Sequence, residues 1–346
     1  MSYTNGLDKP TDYFNTKLYT GNGSTGHAIT GVGFQPDWVW LKNRDATNPH
    51  SLHDSVRGSS KYLTSNGTDA EATSTNRIES FDSDGFTLGS DGNINYNNEN
   101  FASWNWLAGG SASSNSNGSI TSSVSANNTA GFSIVKWTGT GSTSTVGHGL
   151  GSTPKMMILR NLSAVKNWVV YHHILGNAQH VRRNTTDAST SGLSNFNSTS
   201  PTSSVFTVGD SSNTNPSGQN MIAYCFAEKK GYSKFEKYIG NGNVDGTFVY
   251  TGFKPAMIII KKNGAGDNWH IYDNKVNPTN VMDTNLRPNI SDAEITNANH
   301  NLDFVSNGFK WRTTSNTRQG SGSEVIYMAF AESPLVTSTG IPTTAR

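Results

Sequence analysis

At 346 residues the chain can bury two or three cores of domain size, while its 15% of charged residues lies well below the roughly 25% usual in soluble proteins. The net charge of +1 excludes the basic footprint that DNA, RNA or an anionic membrane would attract. A single cysteine, Cys225, excludes an intrachain disulfide and a thiolate zinc site.

The N-terminal stretch MSYTNGLDKPTDYF is polar and has no apolar core of the kind a secretory signal carries, so none is expected. The first predicted element opens on Tyr19 in YTGNG. Seventeen residues later comes Pro36 in TGVGFQPDWVWLKN, an apolar run that ends on Lys42. The same phrase returns twice. Trp137 in WTGTG stands seventeen residues before Pro154 of HGLGSTPKMMILRN, and Tyr238 in YIGNG stands seventeen before Pro255 of YTGFKPAMIIIKKN. The cation six residues after the proline is Lys42, then Arg160, then Lys261. Fourteen residues after it stand Trp168 and Trp269, opening WVVYHH and WHIYDN, where the first copy reads HSLHDS. Each copy then passes a turn and an aromatic (Phe86, Phe206, Phe309) and closes on ASWNWLA, IAYCFAE or YMAFAE.

Repeats of this length mark one supersecondary unit copied in tandem. Their segments are short, alternating or apolar, and bounded by Gly, Asn, Ser and Pro, with no sustained 3.6-residue period. The runs MMIL, MIII and WVWL are apolar on both faces, as in a strand buried between two layers. Proline suits such a strand's first residue, where its missing N–H removes no ladder bond. The fold class expected is all-β: three tandem β-sandwich modules of jelly-roll or lectin-like type. Module 1 spans 1–108, module 2 spans 131–231, module 3 spans 232–334, and 335–346 forms a C-terminal tail. The Ser/Asn/Gly-rich segment 109–130 reads as a flexible or extended linker, so modules two and three should dock while module one swings.

No catalytic constellation emerges. His172 and His173 are adjacent and would point to opposite faces of a strand, which does not build a metal site. The position eighteen after the proline is polar in each copy (Asp54, His172, Asp273), but no second carboxylate recurs with it. GNGSTG and GTGSTSTVG lack the Lys-Ser/Thr ending of a phosphate loop and read as hairpin turns. Cys225 reads as a small buried hydrophobe. The longest apolar runs, seven residues, are too short to span a membrane. No cofactor, metal or enzymatic activity is expected. The aromatics leave one binding reading: Trp168, Tyr171 and His172, with Trp269, Tyr272 and Asp273 at the matching positions, are the candidate glycan-binding residues, alongside Trp104 and Trp106. In each such pair, period two puts one aromatic in the core and the other outside.

The phrase HGLGSTPKMMILRN with NWVVYHH, and the closing IYMAFAESPLVTSTGIPTTAR, resemble repeat modules of tail-fibre or minor virion proteins of marine tailed bacteriophages. The resemblance covers all three copies; the first departs from it by lacking the Trp and Tyr. It implies a virion location, a tail-fibre or receptor-binding role toward host surface polysaccharide, and other tail or capsid proteins as partners. The alternatives are a head decoration or tail-adaptor protein and, less favoured, a polysaccharide depolymerase. A homo-oligomer, most simply a trimer, is expected because a charge-poor surface offers little repulsion between copies.

Overall fold

The computed structural model describes residues 7, 9–264 and 266–333, together with the strand pairs 335–336 and 342–343. Residues 1–6 and 8, and all but that short ladder of the expected C-terminal tail 335–346, lie outside the described residues. The protein is nearly all β, in antiparallel sheets packed as sandwiches.

The repeated phrase forms equivalent strands, Trp38–Asn43, Met156–Asn161 and Pro255–Lys262. Each pairs on one side with the closing strand of its copy, Asn100–Trp106, Asn220–Phe226 or Glu324–Ala331. Beyond the closing strand lies the opening one, Phe14–Thr20, Phe132–Thr138 or Ser233–Ile239. On its other side each phrase strand pairs with Ser51–Asp54, Val169–His172 or Trp269–Asp273. A smaller sheet covers one face of each main sheet. Its strands are His27–Thr30, Gly85–Leu88 and Ile78–Asp82 in the first, Ser144–Gly147 and Val205–Val208 in the second, and Phe248–Tyr250, Gly308–Trp311 and Leu302–Val305 in the third.

Period two explains why the phrase is apolar on both faces. Val39 and Leu41, Met157 and Leu159, and Ile258 and Ile260 face three local cores beneath the small sheets. Trp38 and Trp40, Met156 and Ile158, and Met257 and Ile259 face the other way, into one core common to all three main sheets. The closing aromatics meet there: Phe330 lies 5.7 Å from Trp106 and 6.0 Å from Phe226, centroid to centroid. Trp38 stacks on Tyr224 at 4.3 Å and Phe14 on Phe330 at 4.9 Å.

The glycine of each opening turn has a steric cause. Each copy has a single helical turn: Gly92–Asn95 and Asn316–Gln319 follow the small sheet, whereas Leu193–Phe196 precedes the strand Val205–Val208 of its own small sheet. In the first two copies the loop before the closing strand, and in the third the end of the helical turn, presses on that glycine. A Cβ on Gly21 would stand 2.1 Å from Tyr96 O, one on Gly139 2.1 Å from Pro216 O, and one on Gly240 2.4 Å from Gly320 O. Only glycine admits that approach.

The expectations of a linker at 109–130 and of a swinging first module are corrected. Ser113–Asn115 and Ser122–Asn127 are strands that extend the second main sheet, and Ile120 bridges Val146. Ile120, Ser122 and Val124 alternate inward, a period-two signal that the serine-rich composition masks. The first main sheet is held in the common core by Trp38 and Phe14.

Candidate functional site

Three side-chain positions of the repeat cross from each main sheet to its neighbours. The cation six residues after the proline is buried and bonds carbonyls. Lys42 Nζ donates to Ala46 O (3.0 Å) and to Ser291 O (3.1 Å), reaching the third copy. Arg160 donates to Lys166 O and to Asp69 O of the first. Lys261 donates to Asp267 O and, at 3.1 Å, to Thr186 O of the second. Burial pulls both lysines down to about 8 and Arg160 down to about 10, partly offset by nearby carboxylates.

The position fourteen residues after the proline turns the same way. Trp168 Nε1 donates to Thr64 O (3.0 Å), Trp269 Nε1 to Arg182 O (3.0 Å), and His50 Nε2 lies 3.2 Å from Arg287 O. The position eighteen residues after it turns the other way, toward the middle of a neighbour's closing strand. Asp54 accepts from Tyr224 Oη at 2.8 Å. Asp273 accepts from Trp104 Nε1 at 3.0 Å and Thr16 Oγ1 at 2.6 Å. His172 Nε2 lies 3.3 Å from Tyr327 O. Tyr224, Trp104 and Met328 occupy matching places, opposite Ile158, Trp40 and Ile259. Where the neighbour offers a donor the residue is Asp. Where it offers methionine, the residue is a histidine that donates to backbone instead. The group changes between copies because its partner changes.

The six candidate glycan-binding residues are therefore corrected. Trp168, His172, Trp269, Tyr272 and Asp273 are at most 2% exposed and Tyr171 is 4%, leaving no ring face for a sugar. Tyr171 packs edge-on against Phe196, and Tyr272 Oη accepts from Arg318 Nε at 2.7 Å. Neither aromatic of each pair lies outside: the tyrosine fills a local core and the tryptophan the common one. Trp104 and Trp106 are likewise buried in the common core. Tyr171→Ala and Tyr272→Ala should each cost about 3–5 kcal/mol, as for other large core aromatics. A thermal melt shifted by less than a degree would contradict this placement.

Groups that resemble catalytic pairs are also internal. Ser51 Oγ lies 2.9 Å from His53 Nε2, but both are fully buried, and Arg77 Nη1 donates to the same hydroxyl at 2.8 Å. Burial, with Arg57 and Arg77 nearby, pushes His53 down to about 3, too weak a base to activate a hydroxyl near neutral pH. Asp54 pairs with buried Arg57. Cys225 is buried, and burial pushes its thiol up. No group of three or more His, Cys, Asp or Glu residues suited to a metal occurs among the described residues.

Two accessible features stand out in the third copy. One is a small polar cleft lined by Lys254, Asn274, Asn277, Asn280, Pro278, Met282 and Phe304. Lys254 Nζ and Asn274 Nδ2 both meet Glu332 Oε2, at 2.9 and 3.0 Å, and Asn274 Oδ1 has no partner among the described residues. Asn280 exchanges two bonds with the Phe304 backbone, and Asn277 Nδ2 donates to Asp283. The cleft is small and its lining is largely polar, so it suits one small polar unit. The second is the pair Phe248 and Tyr250, 46% and 62% exposed. Their alternation around Val249 in TFVYTG is the sequence signal of this edge.

Residues 9–334 match the family described as Domain of unknown function (DUF7483). The chain belongs to this family. The match takes in all three main sheets, which the crossing bonds of Lys42, Arg160 and Lys261 link in a closed ring, and their common core. No curated protein matches the chain. No solved structure matches it either.

Proposed function

We propose that this member of the family is a non-enzymatic structural protein of a tailed-phage virion, a tail-fibre or receptor-binding component that contacts host surface glycan. The observation that carries this reading is the closed ring. Side chains of catalytic type are used to join the three main sheets, and the protein presents a charge-poor surface of hydroxyls and amides. The sequence resemblance supplies the virion; the fold supplies a rigid body. Glycan contact is assigned to the amide-lined cleft, because Asn side chains both donate to and accept from sugar hydroxyls.

Two measurements test this separately. Mass spectrometry and immunogold labelling of purified particles should find the chain on the virion exterior; its absence there overturns the virion role. Lys254→Ala and Asn274→Ala should weaken binding of the purified protein to host cells without moving the melting temperature. Unchanged binding removes the cleft from the reading.

A further inference from the structure

The internal repeat allows one edge to be compared in three settings. Val146 pairs with Phe206, Val249 with Phe309 and Ile29 with Phe86, so Thr145, Phe248 and Ala28 correspond, as do Gly147, Tyr250 and Thr30. In the second copy this edge is closed by the chain that precedes it. Ile120 N–H donates to Thr145 O at 3.0 Å, Thr145 N–H to Ser119 Oγ at 2.9 Å, and Ser122 Oγ to Gly147 O at 2.8 Å.

In the third copy the same edge is open. Trp311 N–H donates to Thr247 O and Thr251 N–H to Asn307 O, so the odd-numbered residues bond inward. Phe248 and Tyr250 aim their N–H and C=O groups outward, where no partner is found among the described residues. Their rings are exposed, as are Val244 and Ile239 earlier in the same copy. In the first copy the corresponding side chains are Ala28 and Thr30. An open strand edge with apolar side chains is a template for strand pairing.

We infer that Phe248–Tyr250 is an interface for a second copy of this chain, paired edge to edge across a two-fold axis through Val249. A two-fold antiparallel pair is self-complementary. Phe248 of each copy stands opposite the partner's Tyr250, the four outward groups of each copy exchange bonds, and the rings form cross-strand aromatic pairs. The flanking charges permit it. Lys310 Nζ meets Asp245 at 2.7 Å and Arg312 Nε meets Asp303 at 2.6 Å, so the face is balanced and two copies do not repel. Of the three corresponding edges the second is covered and the first carries only the small side chains Ala28 and Thr30, and a two-fold contact through the third closes at a dimer. Its short length places it among weak contacts burying less than about 1,200 Å².

The test is sedimentation velocity on the full chain from low to high micromolar concentration. The mean mass should climb from 37.3 kDa toward twice that value. Phe248→Lys and Tyr250→Lys should each hold it at the monomer with an unchanged melt, while Ala28→Lys should leave association intact. A constant 37.3 kDa, growth past the dimer, or equal loss in Ala28→Lys overturns the interface. Hydrogen exchange on the unmodified chain gives a second reading that does not depend on the variants folding. The Phe248 and Tyr250 amides should slow as concentration rises, and concentration-independent exchange equally overturns it.

Discussion

Heated in a calorimeter, the protein should unfold in one transition rather than two or three. A single cooperative unit of this size absorbs about 240 kcal/mol near 60 °C, at roughly 0.7 kcal/mol per residue, whereas independent sandwiches would each absorb about a third of that. The shared core is the reason. Removing one main sheet from it exposes Trp38 against Tyr224, or Phe14 against Phe330, and breaks the crossing bonds on both sides of the ring. Asp54→Ala offers the sharper form of the test. It strips the carboxylate from buried Arg57 and from Tyr224 of the second copy, and breaking such a buried pair costs about 3–5 kcal/mol. The whole transition should move down together and stay single. A variant scan that splits, with only the first third of the enthalpy displaced, would show that the sheets unfold separately.

The strands were legible in the sequence because their signals are local. The proline, the two-faced apolar run and the aromatic–glycine turn each report on neighbours a few residues away, and they place the phrase strand centrally in each main sheet. The ring was not legible, because it is made of distant pairs: Trp168 with Thr64, Trp269 with Arg182, Asp273 with Trp104. Periodicity showed that Trp168 and Tyr171 lie on opposite faces of a strand, and the natural inference was that one face meets solvent. In a sheet covered by a small sheet on one face and by two other main sheets on the other, both are interior. The repeating cation was a clue of the same kind. A lysine or arginine kept at the end of three buried strands needs a partner, and that partner is a neighbour's backbone. Strand 122–127 is hidden by its composition, since serine carries little hydrophobic signal even in a strand paired on both sides. Phe248 and Tyr250 were visible as alternation, but only comparison with Ala28 and Thr30 marks them as distinctive.

Acidification from pH 7 to pH 4 should unfold the protein well before its carboxylates are all protonated. Burial holds His53 and His172 at about 3 and His300 at about 4, and burial lowers His50, His148, His180 and His270 as well. In the unfolded chain these rings titrate near 6.5. The folded state is thus favoured above that pH. As pH falls from 6.5 toward 3, the unfolded chain takes up protons that the folded one refuses, and stability is lost in that window. Each ring contributes up to about 1.4 kcal/mol per pH unit, so His53 and His172 alone contribute nearly 3 kcal/mol per unit. Buried Asp273 acts in the opposite sense. Burial raises its pKa, so its folded form retains a proton longer than the unfolded one, but it is one group against seven. Urea unfolding at half-unit steps between pH 7 and pH 4 measures the slope. His172→Gln should flatten it by about 1.4 kcal/mol per pH unit below pH 6, because that ring, wedged against Tyr327 O, no longer titrates. Stability that stays level from pH 6 to pH 4 would mean that these histidines are not held neutral, and that the ring contacts made by His50 and His172 are looser than the geometry describes.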